Sequence, residues 1–379
     1  MNSTSKVYFK GLNSLRFFAA FGVIITHVEL LKSSFGYKSY WQNPIIFNLG
    51  GLGVYFFFVL SGFLITYLLL QENKISNNIS IKNFYYRRIL RIWPLYYLIV
   101  LTGFFVLPHF QSIHIGYLEA NFNQYFNTNL WMYLLIMPNL AFSIFSAVPH
   151  IGQLWSIGVE EQFYIFWPWL IKKSKNILKT LIYFILILFL IKAFVVLMPT
   201  FMKVPDWYEP VKRFLAMSKL ESMAIGGLGA YFLFFNKTTF FQWASNRYIL
   251  IACVVSIPLL IYFTPEVIQD GIHIIYSFIF LIIIINIITS KRYNFLDNRI
   301  FNYLGNISYG IYMYHLMIIP IVLVIYKNYN KITNDVLENL IIYTSVFILT
   351  VLVSSLSYYG YEKPFIKLKK KFTKVNSGN

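Results

Sequence analysis

Arg16 and His27 stand eleven residues apart in the first apolar stretch of the chain. That is about three helical turns, which places both on one helix face roughly 16 Å apart along the axis. A neutral imidazole takes a proton from a hydroxyl, and a guanidinium holds an anion. The plain alternatives are an interfacial histidine among lipid headgroups and an arginine that snorkels to the surface. A second group lies in GQLWSIGVEEQFYIFWPWL, from Gly152 to Leu170, where Glu160 and Glu161 are adjacent. Two neighbouring carboxylates repel, so inside an apolar stretch they need a cation, a proton or solvent. Tyr164 falls one turn beyond Glu160, within helical neighbour range. On the topology read below from the basic residues, His27 and the glutamates are expected to share the outer half of the membrane, and a histidine base oriented by a carboxylate activates a hydroxyl. The alternative is a solvated pair beside Trp155, Trp167 and Trp169.

A third group is FYYRRILRIWPLYYL, with Arg87, Arg88 and Arg91. Arg88 and Arg91 are one turn apart and can converge on one phosphate; an orientation cluster without a ligand is the competing reading. Glu221, Tyr309 and His315 are weaker candidates, grouped with Tyr164 along a substrate path. Lys219 and Glu221 either pair with each other or face a cavity. Lys192 is expected to snorkel, and His109, His114, His150 and His273 to be solvated in outer loops or helix ends. Ser61 lies in no GxSxG elbow and no HExxH occurs, so neither a serine hydrolase nor a zincin-type site is expected, and no metal site is predicted.

These residues need long apolar elements to hold them. The 379 residues are 58% hydrophobic and only 12% charged, against roughly a quarter charged in soluble domains. Mean hydropathy is +0.60, so much of the surface is expected to face lipid. The single cysteine, Cys253, excludes an intrachain disulfide. Apolar stretches of spanning length run at about 12–31, 48–70, 88–107, 154–171, 177–198, 217–235, 247–263, 272–289, 307–326 and 340–360. A shorter one at 131–147, broken by Pro138, reads as a re-entrant or partial helix.

Lys and Arg are absent from Ile92 to Ile171, between Arg87, Arg88 and Arg91 on one side and Lys172, Lys173, Lys175 and Lys179 on the other. If both clusters are cytoplasmic, an even number of crossings lies between them. The expected fold is therefore all-α and polytopic, with about ten transmembrane helices and both termini cytoplasmic. It forms a single membrane domain over 1–379, with a basic cytoplasmic tail at 366–379 that anchors to headgroups. On this topology the net charge of +18 reports orientation in a bilayer and no nucleic-acid partner. The glycine groups GGLGVYFFFVLSGF and GGLGA read as close helix packing.

Taken in order, these pieces resemble the acyltransferase-3 family of integral-membrane O-acyltransferases. The matching residues are Leu12, Leu15, Arg16 and His27, then GGLGVYFFFVLSGFLIT, RRILRIWPLYY, WSIGVEEQFYIFWP, GNISYGIYMYHL and YEKPF. Lys219 and Glu221 stand where the family usually has Arg and Asp. The hydrolase-like domain fused to some members has no counterpart here, so the membrane domain is expected to act alone or with a partner.

The resemblance implies transfer of an acyl group, acetyl on family grounds, from cytoplasmic acyl-CoA to a hydroxyl of an extracytoplasmic envelope glycan or lipid-linked saccharide, in the inner (plasma) membrane. Acyl-CoA is then a donor substrate, and no permanently bound cofactor is implied. By the same carry-over His27 is the catalytic base or the acyl carrier, with Glu160 and Glu161 supporting catalysis. Arg88 and Arg91 bind acyl-CoA, and Arg16 lines the path. The competing function is a transporter or exporter of a polysaccharide, which the absence of a clear inverted repeat weakens.

Overall fold

A computed structural model describes residues 6–265, 271–329 and 334–377. The last two residues of the expected basic tail, and the first five of the chain, lie outside them. The regular elements of the described chain are helical apart from one pair of two-residue strands. It opens with strand β1 (Lys6–Val7), α1 (Leu12–Lys32), α2 (Pro44–Ser76) and α3 (Ile81–Phe105). Three short helices follow: α4 (Gly116–Gln124), α5 (Phe126–Leu134) and α6 (Pro138–Ile144). Then come α7 (Trp155–Lys173), α8 (Ile177–Phe201), α9 (Tyr208–Met217), α10 (Leu220–Phe234), α11 (Thr238–Ala244), α12 (Arg247–Phe263) and α13 (Ile272–Thr289). The chain closes with α14 (Arg299–Asn306), α15 (Ser308–Tyr329), α16 (Asp335–Ser357), a π-helical turn, α17 (Lys363–Lys369) and strand β2 (Asn376–Ser377).

Seven of the ten expected spans stand among the described residues as single helices long and apolar enough to cross a membrane. An eighth arises if α11 and α12, bent by 60°, count as one. The expected spans at 154–171 and 217–235 are helical but fall short for physical reasons. α7 carries Glu160, Glu161, Lys172 and Lys173 within 19 residues, and α10 has only 15 residues. The piece at 131–147 is broken where expected. α5 and α6 have nine and seven residues, and Ile136 between them takes φ +59° just before Pro138 starts α6. Neither half is long enough to span a bilayer alone.

Lipid exposure is clearest on α8, with mean hydropathy 2.9 and only 11% of its apolar window buried within the protein. Water would not tolerate that face, whereas a bilayer would. The centre of the fold is the crossing of α2 with α10, the most extensive helix pairing in the molecule. Glycine makes it. A Cβ at Gly62 would lie 1.8 Å from the Met223 carbonyl oxygen, and one at Gly226 would lie 1.9 Å from that of Val59. The backbones therefore touch, as small residues allow between membrane helices. The glycine groups fulfil the packing role expected of them.

Both chain ends meet on one face. β1 pairs in parallel with β2, Lys6 against Asn376 and Val7 against Ser377. Charge fixes the opposite end of α1, where Lys32 and Glu29 form a fully buried ion pair 3.0 Å long. Tyr343 donates to the same carboxylate at 2.6 Å, and the Tyr40 backbone N–H donates to its second oxygen. These bonds lock α1 to α16 and set the height of the helix that carries Arg16 and His27.

The α2–α10 crossing yields a direct expectation. Gly226→Ala or Gly62→Ala forces the two backbones apart at a cost of about 1–3 kcal/mol. Unfolding of the purified protein in detergent should show that loss, while Gly116→Ala, where a Cβ meets open space, should not.

Candidate active site

α3 presents three arginines to different surroundings. Arg87 is satisfied: its guanidinium bonds Glu72 at 2.8 Å and donates to the Phe372 carbonyl at 2.8 Å. Arg88, one position on, lies over the rings of Phe84 and Tyr164, each 5.6 Å from its guanidinium carbon. Its buried Nε has no hydrogen-bond partner among the described residues. Arg91 makes no ion pair among the described residues, and Arg16 bonds only Asn13, at 3.2 Å. Arg16, Arg88 and Arg91 line one cavity of about 140 Å³ together with Ser61, Glu160 and Tyr164. The same three arginines line a second cavity, of about 160 Å³, that runs to the face carrying the chain ends. Guanidiniums gathered in a space of this kind, with more cations than carboxylates, fit an anion with several oxygens.

The two adjacent glutamates diverge. Glu160 accepts from Ser61 and from Tyr164, both at 2.8 Å, so the predicted turn-to-turn contact with Tyr164 exists. Glu161 accepts from the Trp93 indole at 3.0 Å, and its other oxygen is buried with no hydrogen-bond partner among the described residues. Neither glutamate contacts His27. The expectation that a carboxylate orients this histidine is therefore corrected: Glu160 belongs to the arginine cavity, and the partner of His27 is another histidine.

That partner is His315, fully buried on α15, whose Nε2 lies 3.0 Å from His27 Nδ1. His315 Nδ1 is 2.7 Å from the Tyr312 carbonyl oxygen, which can only accept, so Nδ1 carries its proton and Nε2 its lone pair. His27 Nδ1 is also 3.0 Å from the Val23 carbonyl. The hydrogen-bond network thus assigns the His27 proton to Nδ1, shared between Val23 and His315. The lone pair sits on Nε2, to which no described residue donates. A neutral histidine in this state is a base with its basic nitrogen free.

His27 opens onto a cleft of about 660 Å³ on the far side from the chain ends. The cleft is lined mainly by apolar groups, with Arg213, Gln153 and His150 among the polar ones. His150 is buried rather than solvated as expected; among the described residues neither ring nitrogen has a hydrogen-bond partner, and Nε2 stands 3.9 Å from a Glu119 carboxylate oxygen. Burial holds its pKa down to about 4, with His114 adding to the effect, so it lines the cleft uncharged at neutral pH.

Tyr312 joins the two regions. Its ring lines the arginine cavity, and its hydroxyl lies 2.7 Å from Ser156 Oγ and donates to the Gln153 carbonyl at 3.1 Å. Its own carbonyl holds His315. Tyr309, also in the arginine cavity, donates to the Ile92 carbonyl at 3.0 Å. Sequence reasoning passed over Ser156 and Tyr312 and weighed Ser61 only as a hydrolase nucleophile; all three are neutral hydroxyls. Their only signal was position, inside the glycine-rich segment, WSIGVEE and SYGIYMYH.

Glu221 lies elsewhere. It is buried in a cluster where Lys192 bonds it at 2.5 Å and His273 Nε2 contacts the same oxygen, with Lys219 3.3 Å from His273 Nδ1. Lys192 therefore pairs inward instead of snorkelling, and His273 is buried instead of solvated. Glu221 faces neither the arginine cavity nor the His27 cleft, so its placement on a substrate path is corrected to a link among α8, α10 and α13.

The family model described as an acyltransferase domain, of the acyltransferase-3 type, matches residues 9–359. The chain is similar to the Bacillus subtilis protein YrhL, whose name assigns it provisionally as a peptidoglycan O-acetyltransferase. The two are 27% identical over 377 residues, 94% of this chain and 55% of that protein. It is also similar to the Staphylococcus aureus O-acetyltransferase OatA, 33% identical over 181 residues, 46% of this chain and 27% of that protein. The chain thus spans about half the length, or less, of these relatives. No solved structure matches it.

The histidine pair predicts a spectroscopic result. In ¹⁵N-histidine spectra of the purified protein, His27 should show a protonated Nδ1 and an unprotonated Nε2. His315→Leu should shift His27 toward a mixture of tautomers. A His27 protonated at Nε2 in the unaltered protein would contradict the assignment.

Proposed function

Because the chain belongs to the acyltransferase-3 family, we propose that it is a membrane O-acetyltransferase that moves an acetyl group from acyl-CoA at the face carrying its termini to a hydroxyl of a cell-wall glycan on the opposite face. The termini then lie in the cytoplasm, the protein forms a single multi-pass domain of the plasma membrane, and the names of its relatives point to peptidoglycan as the acceptor. One observation carries this reading: a single helix, α1, presents Arg16 to the anion-fitting cavity and His27, with a free basic nitrogen, to the cleft beyond it.

Arg88 and Arg91 hold donor phosphates near the cytoplasmic mouth, and the narrow thioester arm follows α1 past Arg16. The acceptor occupies the cleft with its hydroxyl on His27 Nε2. Nε2 removes the hydroxyl proton as the oxygen attacks the thioester carbonyl. The tetrahedral intermediate then collapses, the carbon–sulfur bond breaks, and the proton passes from His27 to the departing thiolate. His315 steadies the transient imidazolium by accepting its Nδ1–H, as the third member of a triad does, though without a full charge. Glu160, with Ser61 and Tyr164, anchors the wall of the arginine cavity. The exporter reading draws no support from this arrangement, since a glycan would have to pass the packed contacts of Tyr312, Ser156 and Gln153.

Acetyl transfer by the purified protein in nanodiscs separates these roles. His27→Ala should lower kcat by about 10²- to 10⁴-fold, the usual worth of a general base. Arg88→Ala should raise the KM for acetyl-CoA and leave acceptor KM unchanged. Undiminished transfer by a folded His27→Ala protein would refute the assignment.

A further inference from the structure

The basic tail was expected to serve orientation and lipid anchoring, yet one of its lysines does not face outward. Lys367, Lys370 and Lys371 are exposed, whereas Lys369 is turned in and lines the second arginine cavity with Arg16, Arg88 and Arg91. Among the described residues, no Asp or Glu lines that cavity. Of the acidic residues around it, Glu160 lines the neighbouring arginine cavity and accepts from Ser61 and Tyr164, Asp297 accepts from Tyr8, and Glu72, in a pocket that Lys369 also lines, is taken by Arg87 and the Ser80 backbone N–H. Lys369 makes no ion pair or side-chain hydrogen bond among the described residues.

The segment that carries it is held firmly. α17 packs on α3, the helix of Arg88 and Arg91. Three residues on, the Phe372 carbonyl accepts from Arg87 at 2.8 Å and the Phe372 ring packs on Tyr86, with centroids 4.7 Å apart. Val375 is buried, and β2 then pairs with β1 ahead of α1. The two ends of the chain thus form a strap across the mouth of the cavity, and the strap sets a lysine beside three arginines. Four cations in one recess repel each other unless an anion sits among them. The unpartnered Nε of Arg88 marks the same requirement independently.

We propose that Lys369 is a substrate-binding residue, the fourth cation of a phosphate site that the terminal strap completes, and that its ligand is the phosphate-bearing end of the acyl donor. This inference rests on the donor reading above. A lysine suits the part because it supplies a compact point charge to a phosphate already forked by guanidiniums.

Binding of adenosine 3′,5′-bisphosphate to the full-length protein in nanodiscs tests it without relying on turnover. Lys369→Ala should weaken that binding and raise the acetyl-CoA KM by about tenfold, as loss of one charge-assisted contact does, with kcat nearly unchanged. Lys369→Arg should restore most of the affinity, and Lys370→Ala, on the exposed side, should have no effect. If Arg88→Ala weakens binding while Lys369→Ala does not, the strap lysine serves lipid or orientation only and this inference fails. If Arg88→Ala, Arg91→Ala and Lys369→Ala all leave binding intact, the donor reading itself fails.

Discussion

A charge inside a helix bundle in lipid must be paired or must face a polar space, since leaving it bare costs several kcal/mol. That constraint sorts most of the buried cations here into two sets. Glu29 with Lys32, Glu72 with Arg87, and Glu221 with Lys192 and His273 are closed groups that tie helices together. Arg16, Arg88, Arg91 and Lys369 form no ion pairs among the described residues and converge on one cavity instead. The first set gives the bundle a defined register; the second lines the space proposed above for an anionic ligand. A carboxylate count alone would not separate them. Arg87 and Arg88 are neighbours in sequence and fall on opposite sides of the division.

The paired charges position the unpaired ones. Glu29, two residues beyond His27, is bonded by Lys32, Tyr343 and the Tyr40 backbone, so the far end of α1 cannot slide against α16. At the other end Asn13 packs backbone to backbone against Gly305, where a Cβ would come within 2.2 Å of the Asn13 carbonyl oxygen. α1 is thus fixed at both ends, and Arg16 and His27 keep their separation. α15 supplies the remaining links, with Tyr309 and Tyr312 on the arginine cavity and His315 on His27. One polar ladder, from Ser156 and Tyr312 through His315 to His27, connects the anion-fitting recess with the cleft.

Much of this was legible in the residues. Hydropathy located the helices, because a bilayer demands long apolar runs, and the spacing of Arg16 and His27 placed both on one helix. The adjacent arginines and the Glu160–Tyr164 turn were readable for the same reason: helical neighbours are set by local geometry. What escaped was long-range. Nothing in SYGIYMYH says that His315 meets His27, 288 positions away in the chain. Glu160 looked like the natural partner for a histidine until the fold turned it toward Ser61. The tail read as a plain basic anchor because the inward placement of Lys369 goes with long-range contacts, the pairing of β2 with β1 and the packing of α17 on α3. His273 and Lys192 read as surface groups because their partner, Glu221, lies on a third helix.

The central claim is vectorial: donor on the face of the chain ends, chemistry on the face of His27. It is tested most directly in proteoliposomes of single orientation, with acetyl-CoA confined to one side and a membrane-impermeant glycan acceptor to the other. The account predicts acetylated glycan only when acetyl-CoA is on the side of the termini and the acceptor on the opposite side. Product formed with both substrates on the His27 side, and none across the membrane, would contradict it.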